Sequence, residues 1–209
     1  QHISSAASAA VCVVEGELGI ARELLPRLRE HGVEVIQRDG SGLLRVGDAV
    51  LALSDGHMAC QRAREDGLRN LILLDLAHDY GNAKRIAISH AAGVDPLALD
   101  QAVALLQRAG LTVSLLSDSP ALAVLRTVAM LANEAADALL QGVASAADID
   151  LAMRAGVNYP QGPLAWADAV GLGHILKTLD NLQAGYGEER YRPSLLLRRR
   201  VAEGSKFHD

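Results

Sequence analysis

The chain has 209 residues, enough for one large domain or two modest ones, each able to bury a core. Half of the residues are apolar, mostly Ala, Leu and Val with one Phe and one Trp, which favours helices packed through small side chains. The net charge of −5 speaks against nucleic acid as a partner, and the want of a membrane-length apolar run or a signal peptide points to a cytoplasmic protein with no membrane contact.

In chain order, residues 1–8 (QHISSAAS) read as a tail and AAVCVV at 9–14 as a buried strand. LGIARELLPRLREHG at 18–32 has helical periodicity and closes on Gly32. Further strands are expected at 33–38, 48–54, 70–76, 85–89 and 111–116. Helices are expected at 57–66 and 95–109, the second capped by Asp95 with Pro96 behind it. Such alternation implies a largely parallel sheet covered by helices. After Asp118 the rhythm changes. The stretch 119–142 is one long helix pattern with a Ser-Pro start and a glycine at its end. SAADIDLAMRAG at 145–156 repeats the device, with Ser145 as cap, Asp148 at the third helical position and Gly156 as terminator. Helices at 163–169, 171–185 and 194–203 follow, so the reading is an α/β module over 9–117 and an all-helical domain over 118–209.

A strand–turn–helix opening raises the question of a dinucleotide. That chemistry needs GxGxxG directly after the first strand, so that backbone can approach a pyrophosphate at a helix N-terminus. The segment here is VVEGELGIAREL: Gly16 and Gly19 are wrongly spaced, and Glu15 and Glu17 set negative charge where phosphates must go. A turn into a helix is the reading. RDGSGLLRVGD at 38–48 lacks the Lys-Ser/Thr ending of a phosphate loop and reads as a hairpin-like or irregular connection. Asp75, His78, Asp79 and Tyr80 follow a strand, where ligands gather in parallel sheets; a solvated loop is the plainer reading. Cys12 and Cys60 form no CxxC pair and read as buried or reduced thiols, and no two histidines stand at the helical spacing of a metal pair. The basic closing stretch RYRPSLLLRRRVAEGSKFHD reads either as a solvated face or as a helix end that reaches a phosphate-bearing ligand or acidic partner.

The second half carries a recognisable set of motifs. Asp118-Ser119-Pro120, Arg126, Asn133-Glu134-Ala135, Asp148 and Asp150 are followed by Gly156, Pro160, Gly162-Pro163-Leu164, Asp168 and Gly171-Leu172. Together with YGEERYRPSLLLRRRVAEG they resemble the C-terminal domain of the NAD-dependent 3-hydroxyacyl-CoA dehydrogenases, most closely the long bacterial 3-hydroxyadipyl-CoA type of phenylacetate degradation. The resemblance implies a reduced, degenerate Rossmann-like module before the helical domain, both forming the later part of a longer enzyme. It implies NAD for the whole enzyme but none on this stretch, a homodimer through the helical domain, an N-terminal catalytic half and an acyl-CoA substrate. The family's catalytic Asn position is Leu125 here, its Glu position falls near Ala87, and His90 lacks the family's H-F-F-N-P context. No catalytic residue is therefore assigned. Arg126, Asn133, Gly162, Pro163 and Trp166 are the pocket or structural candidates, with Trp166 expected in the packing around the G-P-L turn. The alternative is a duplicated, non-catalytic dimerisation scaffold.

Overall fold

A computed structural model describes residues 10–209, and the expected tail at 1–8 lies outside the described residues. The chain divides into two compact units between Val124 and Leu125, beyond the boundary placed at residue 117 from the sequence. The first unit holds a seven-stranded sheet of order β2-β1-β3-β4-β5-β6-β7. Its strands are β1 (Val11–Glu15), β2 (Glu34–Arg38), β3 (Leu43–Val46), β4 (Ala49–Leu53), β5 (Leu71–Leu74), β6 (Arg85–His90) and β7 (Thr112–Leu115). β5 is buried along its whole length, as a central strand of Leu-Ile-Leu-Leu should be.

The sheet is mixed. β1–β2, β4–β5 and β6–β7 pair in parallel, whereas β1–β3, β3–β4 and β5–β6 are antiparallel. The strand that sequence reasoning passes over is β3, four residues inside the glycine-rich stretch read as a connection. Arg45 of β3 makes an ion pair with Glu15 of β1 at 2.8 Å, so a charge that looks like loop chemistry is a cross-strand pair.

Helices α1 (Leu24–Glu30), α2 (Ala59–Glu65) and α3 (Pro96–Arg108) belong to the same unit. The helix expected over 18–32 begins only at Leu24, preceded by a 3-10 turn, Gly19–Glu23. Pro26 explains the delay: without an N–H it is tolerated in the first turn of a helix and not in its interior. α3 starts as expected, with the Asp95 carboxylate accepting from the Leu97 N–H at 2.8 Å. On one sheet face Val50, Ala52, Leu71 and Leu73 pack with Ala59 of α2 and with Leu122.

The second unit is helical: α4 (Val124–Leu140, from its second residue on), α5 (Ala146–Val157), α6 (Pro163–Val170), α7 (Leu172–Tyr186) and α8 (Leu195–Glu203). Ser145 caps α5 through the Asp148 N–H, as read from the sequence. Two helix ends differ from expectation. α4 does not start at Ser119, because Ala121 and Leu122 adopt left-handed backbone (φ 57° and 51°) and hold the chain in a turn. α5 runs past Gly156 and stops at Asn158, which takes the left-handed conformation at φ 56°.

The two cysteines differ in exposure. Both are free thiols, Cys12 buried in β1 and Cys60 exposed on α2, in line with the reading of buried or reduced cysteines. Burial pushes the Cys12 thiol up to about 11, and the Asp118 carboxylate, by hydrogen bonding to the Cys60 thiol, raises that one as well. A maleimide should therefore modify Cys60 alone in the folded chain. Asp118→Asn should speed that modification, since removing the carboxylate lowers the thiol pKa and enlarges its thiolate fraction. Mass spectrometry of a labelling time course checks both; modification of Cys12 at the rate of Cys60 contradicts the assignment.

Candidate functional site

The first turn after β1 is where a dinucleotide would have to sit, and topology fills it. β3 lies beside β1 on the side away from β2, so the chain leaving β2 at Arg38 must cross the carboxyl end of β1 to enter β3 at Leu43. The crossing is close. The Gly16 N–H donates to the Arg38 carbonyl at 2.9 Å and the Gly42 N–H to the Glu15 carbonyl at 2.6 Å. A Cβ on Gly16 would stand 2.2 Å from the Gly40 carbonyl oxygen, and one on Gly42 would stand 2.7 Å from the Glu17 carbonyl oxygen. These glycines bring backbone against backbone within the chain, the approach a fingerprint glycine offers to pyrophosphate. The element that follows is a 3-10 turn of 5 residues, which presents no α-helical N-terminus to an anion.

The positions that the resemblance marks for chemistry hold apolar side chains. Leu125 is wholly buried on α4, and a leucine can neither accept nor donate a hydrogen bond. Ala87 lies mid-strand in β6, paired with Ser114 of β7. His90 ends that strand, its Nδ1 2.9 Å from the Ala91 carbonyl oxygen. Among the described residues no three of His, Cys, Asp and Glu gather as a metal would require.

Three aspartates of the motifs, Asp118, Asp150 and Asp168, together with Asp75, serve another purpose: each holds a helix start or a chain end from a distance. The Asp118 carboxylate accepts from the Ala59 and Cys60 N–H groups at 2.6 and 2.9 Å and so caps α2. Asp75, fully buried, accepts from the Leu76 N–H at 2.8 Å and from the Ala123 and Val124 N–H groups at 3.1 and 2.9 Å, supplying the cap expected of Ser119. Tyr80 is buried too and its hydroxyl donates to the Asp75 carbonyl at 2.7 Å. The group read as a solvated loop is thus half interior; His78 alone of the four is exposed.

In the second unit Asp150 does the same for α6. Its two oxygens accept from the Leu164 and Ala165 N–H groups at 2.8 and 2.9 Å. The carboxylate occupies the space where a Gly162 side chain would be, 2.2 Å from an added Cβ, and Pro163 fills the first helical position. Asp168 accepts from the Phe207 and His208 N–H groups at 3.0 and 3.1 Å and ties down the chain end. Trp166 is buried within α6, among the packing that this turn orients. Asn133 is buried on α4 with both ends of its amide engaged: Nδ2 donates to the Arg192 carbonyl at 2.9 Å and Oδ1 accepts from the Ser194 N–H at 2.8 Å. Gly162, Pro163, Trp166 and Asn133 therefore have packing roles in the geometry.

Arg126 differs from these four because it lines a cleft. The cleft holds about 390 Å³, with Thr127, Met130, Leu131 and Glu134 of α4 on one side and Arg190 and Tyr191 on the other. The Arg126 guanidinium lies 4.8 Å from the Tyr186 ring centre and 5.3 Å from that of Tyr191, and donates to both hydroxyls. Sequence reasoning singles out Arg126 and misses the two tyrosines, which lie 60 and 65 positions away. The arrangement is a mostly apolar slot bordered by two arginines, Arg126 held by the tyrosines and Arg190 paired with Glu188, a shape that can seat an acyl chain or a partner's side chains.

Two family models match the chain, one on either side of residues 121–122. Residues 51–120 match the model of the 3-hydroxybutyryl-CoA dehydrogenase reduced Rossmann-fold domain, and residues 123–207 match that of the 3-hydroxyacyl-CoA dehydrogenase C-terminal domain. The chain is 43% identical over 167 residues to the 3-hydroxyadipyl-CoA dehydrogenase of Escherichia coli K12, covering 79% of this chain and 34% of that protein. It is 39% identical over 102 residues to a probable 3-hydroxybutyryl-CoA dehydrogenase of Bacillus subtilis 168, covering 49% and 36%. Among solved structures, 3-hydroxybutyryl-CoA dehydrogenase from Escherichia coli K12 superposes with a TM-score of 0.73 at 42% identity, over 79% of this chain and 34% of that one. The (S)-3-hydroxybutyryl-CoA dehydrogenase of Ralstonia eutropha, at 23% identity and TM-score 0.62 over 93% and 66%, shares the fold. The chain thus spans about a third of the length of the curated relatives it matches.

Proposed function

The chain belongs to the 3-hydroxyacyl-CoA dehydrogenase family, and from that premise we propose that it is the C-terminal, non-redox part of an NAD-dependent enzyme that oxidises a 3-hydroxyacyl-CoA to the 3-oxoacyl-CoA. In that reaction a base takes the hydroxyl proton, the C3 hydrogen leaves as hydride to the nicotinamide, and an amide side chain positions the acyl carbonyl. Another part of the polypeptide supplies these groups and the dinucleotide site. The present residues supply contacts of a homodimer and one wall of the acyl-CoA cleft, through Arg126 and its apolar slot.

The observation that carries this reading is the crossing of the β2–β3 connection over the end of β1, with Gly16, Gly40 and Gly42 packed backbone to backbone. It supports a module that has kept the sheet and given up the phosphate turn. Leu125 in the amide position supports the same division of labour. A dicarboxylic acyl chain of the adipyl kind is the substrate we favour, from the Escherichia coli relative at 43% identity. The cytoplasm is the compartment this reading implies; no helix among the described residues is long and apolar enough to cross a membrane.

A second reading is a pure assembly module. Leu140, Val143, Leu151 and Val157, at the end of α4, in the turn after it and on α5, are all exposed apolar side chains that an assembly contact would cover. Purified chain given 3-hydroxybutyryl-CoA and NAD+ should produce no NADH absorbance. In the Escherichia coli relative, deleting the matched third should abolish turnover if this region walls the acyl cleft, and should cost only the dimer if it is a scaffold. Production of NADH by the chain alone contradicts both readings.

A further inference from the structure

We propose that a second cleft, formed by α5, α6 and the end of the chain, binds a small oxyanion, a carboxylate or phosphate monoester, carried on a short apolar arm. The cleft holds about 420 Å³ and is lined by Asp150, Leu151 and Arg154 of α5, Asp168 of α6, and Lys206 and His208. That volume is within the range of small-molecule sites.

The charges decide what it can take. Both carboxylates are already engaged: Asp150 accepts two backbone N–H groups and the imidazole of His208, and Asp168 accepts two backbone N–H groups. Three N–H groups are thus directed at the Asp150 carboxylate and two at that of Asp168, which offsets part of their negative charge. The Arg154 guanidinium and the Lys206 ammonium, by contrast, pair with no carboxylate among the described residues. Asp150 lies 2.8 Å from His208 Nε2, and an ionised carboxylate can only accept, so that nitrogen carries the proton and the imidazole is held by its far side. Two cationic side chains, Arg154 and Lys206, thus border one cleft whose carboxylates are held by backbone N–H groups and, at Asp150, by the His208 imidazole. Arg supplies a planar fork for two oxygens of an oxyanion and Lys a point charge beside it. Leu151 is 54% exposed and, with Ala147 and Ala165 in the same lining, offers apolar wall to a short alkyl arm.

The test is titration of the full chain, followed by backbone amide shifts, with valerate and butyl phosphate as probes and acetate and inorganic phosphate as their armless counterparts. Saturable shifts at Leu151, Ala165 and His208 are expected from valerate, butyl phosphate or both, at lower concentration than from the armless ion. Which of the two saturates first identifies the oxyanion. Arg154→Gln and Lys206→Gln change exposed side chains and should each weaken binding by about tenfold or more. Shifts that never saturate, or saturation unchanged in the double variant, overturn the proposal. Neither result bears on where the family's redox chemistry lies, so failure here and failure of the dehydrogenase reading remain distinct.

Discussion

Asp75→Ala is expected to destabilise the first unit by about 3 kcal/mol, the largest effect of any exchange at a single carboxylate in that unit. Asp75 is fully buried at the end of β5, and its carboxylate accepts from three backbone N–H groups, those of Leu76, Ala123 and Val124. Alanine strands the Leu76 donor in the buried interior and leaves those of Ala123 and Val124, at the part-buried start of α4, without their cap; each loss costs on the order of 1 kcal/mol or more. Asp75→Asn should cost roughly half as much, because an amide keeps one acceptor oxygen but turns its NH2 towards a donor. The check is chemical unfolding monitored by circular dichroism, with the midpoint and slope compared across the three proteins. Equal stability of the alanine variant and the parent would show that these N–H groups find other partners.

Gly162→Ala is the second large effect, about 3 kcal/mol in the helical unit, combining overpacking with loss of a cap. Gly162 has φ −68° and ψ 147°, a conformation open to any residue, so its backbone gives alanine no difficulty. The difficulty is space, since the new Cβ would lie 2.2 Å from both Cβ and Cγ of Asp150. Asp150 cannot swing aside without releasing the Leu164 and Ala165 N–H groups and His208. The sole tryptophan, Trp166, is buried in the helix that this turn starts, so its fluorescence reports the loss directly. A fall in melting temperature on the order of 10 °C is expected. The control is Asp150→Gly: in that background the added methyl should cost little, because the obstructing Cβ and carboxylate are both gone, and the two changes should be strongly non-additive. Additive losses would place the strain elsewhere.

What can be read from the sequence is local. The division into an α/β module and a helical part, six of the seven strands, the Asp95 and Ser145 caps and the helix pattern after Pro163 all follow from periodicity and from residues within a few positions of one another. β3 is hidden because four residues between two glycine turns carry almost no period, and because Arg45 looks like loop chemistry until Glu15 stands opposite. The distant caps are hidden for a stronger reason. Asp118 serves N–H groups 58 and 59 positions away, and Asp75 serves others 48 and 49 positions away, so no window of sequence holds both partners. The pattern D-S-P and the turn G-P-L can be matched to a family by resemblance, yet their physical sense, a carboxylate holding a remote helix start, needs coordinates. Arg126 stands out by its place in a motif; the tyrosines that fix its guanidinium belong to the YGEERY stretch of another motif, and nothing in the sequence ties the two motifs to one another in space.

The same non-locality explains the first turn. Spacing and the charges of Glu15 and Glu17 already argue against Gly16 as a dinucleotide glycine. The fuller reason is topological: β3 adds to the free side of β1, and the connection to it must pass over the strand end that a pyrophosphate would need. A glycine-rich stretch that looks idle between strands is the piece that fills the turn.

The central claim, that this module keeps a dinucleotide-binding sheet without the means to hold a dinucleotide, is tested most directly by titrating the full chain with NADH and following the nicotinamide fluorescence. No saturable enhancement is expected at any protein concentration up to the solubility limit. Saturable binding of NADH by the parent chain would contradict the account.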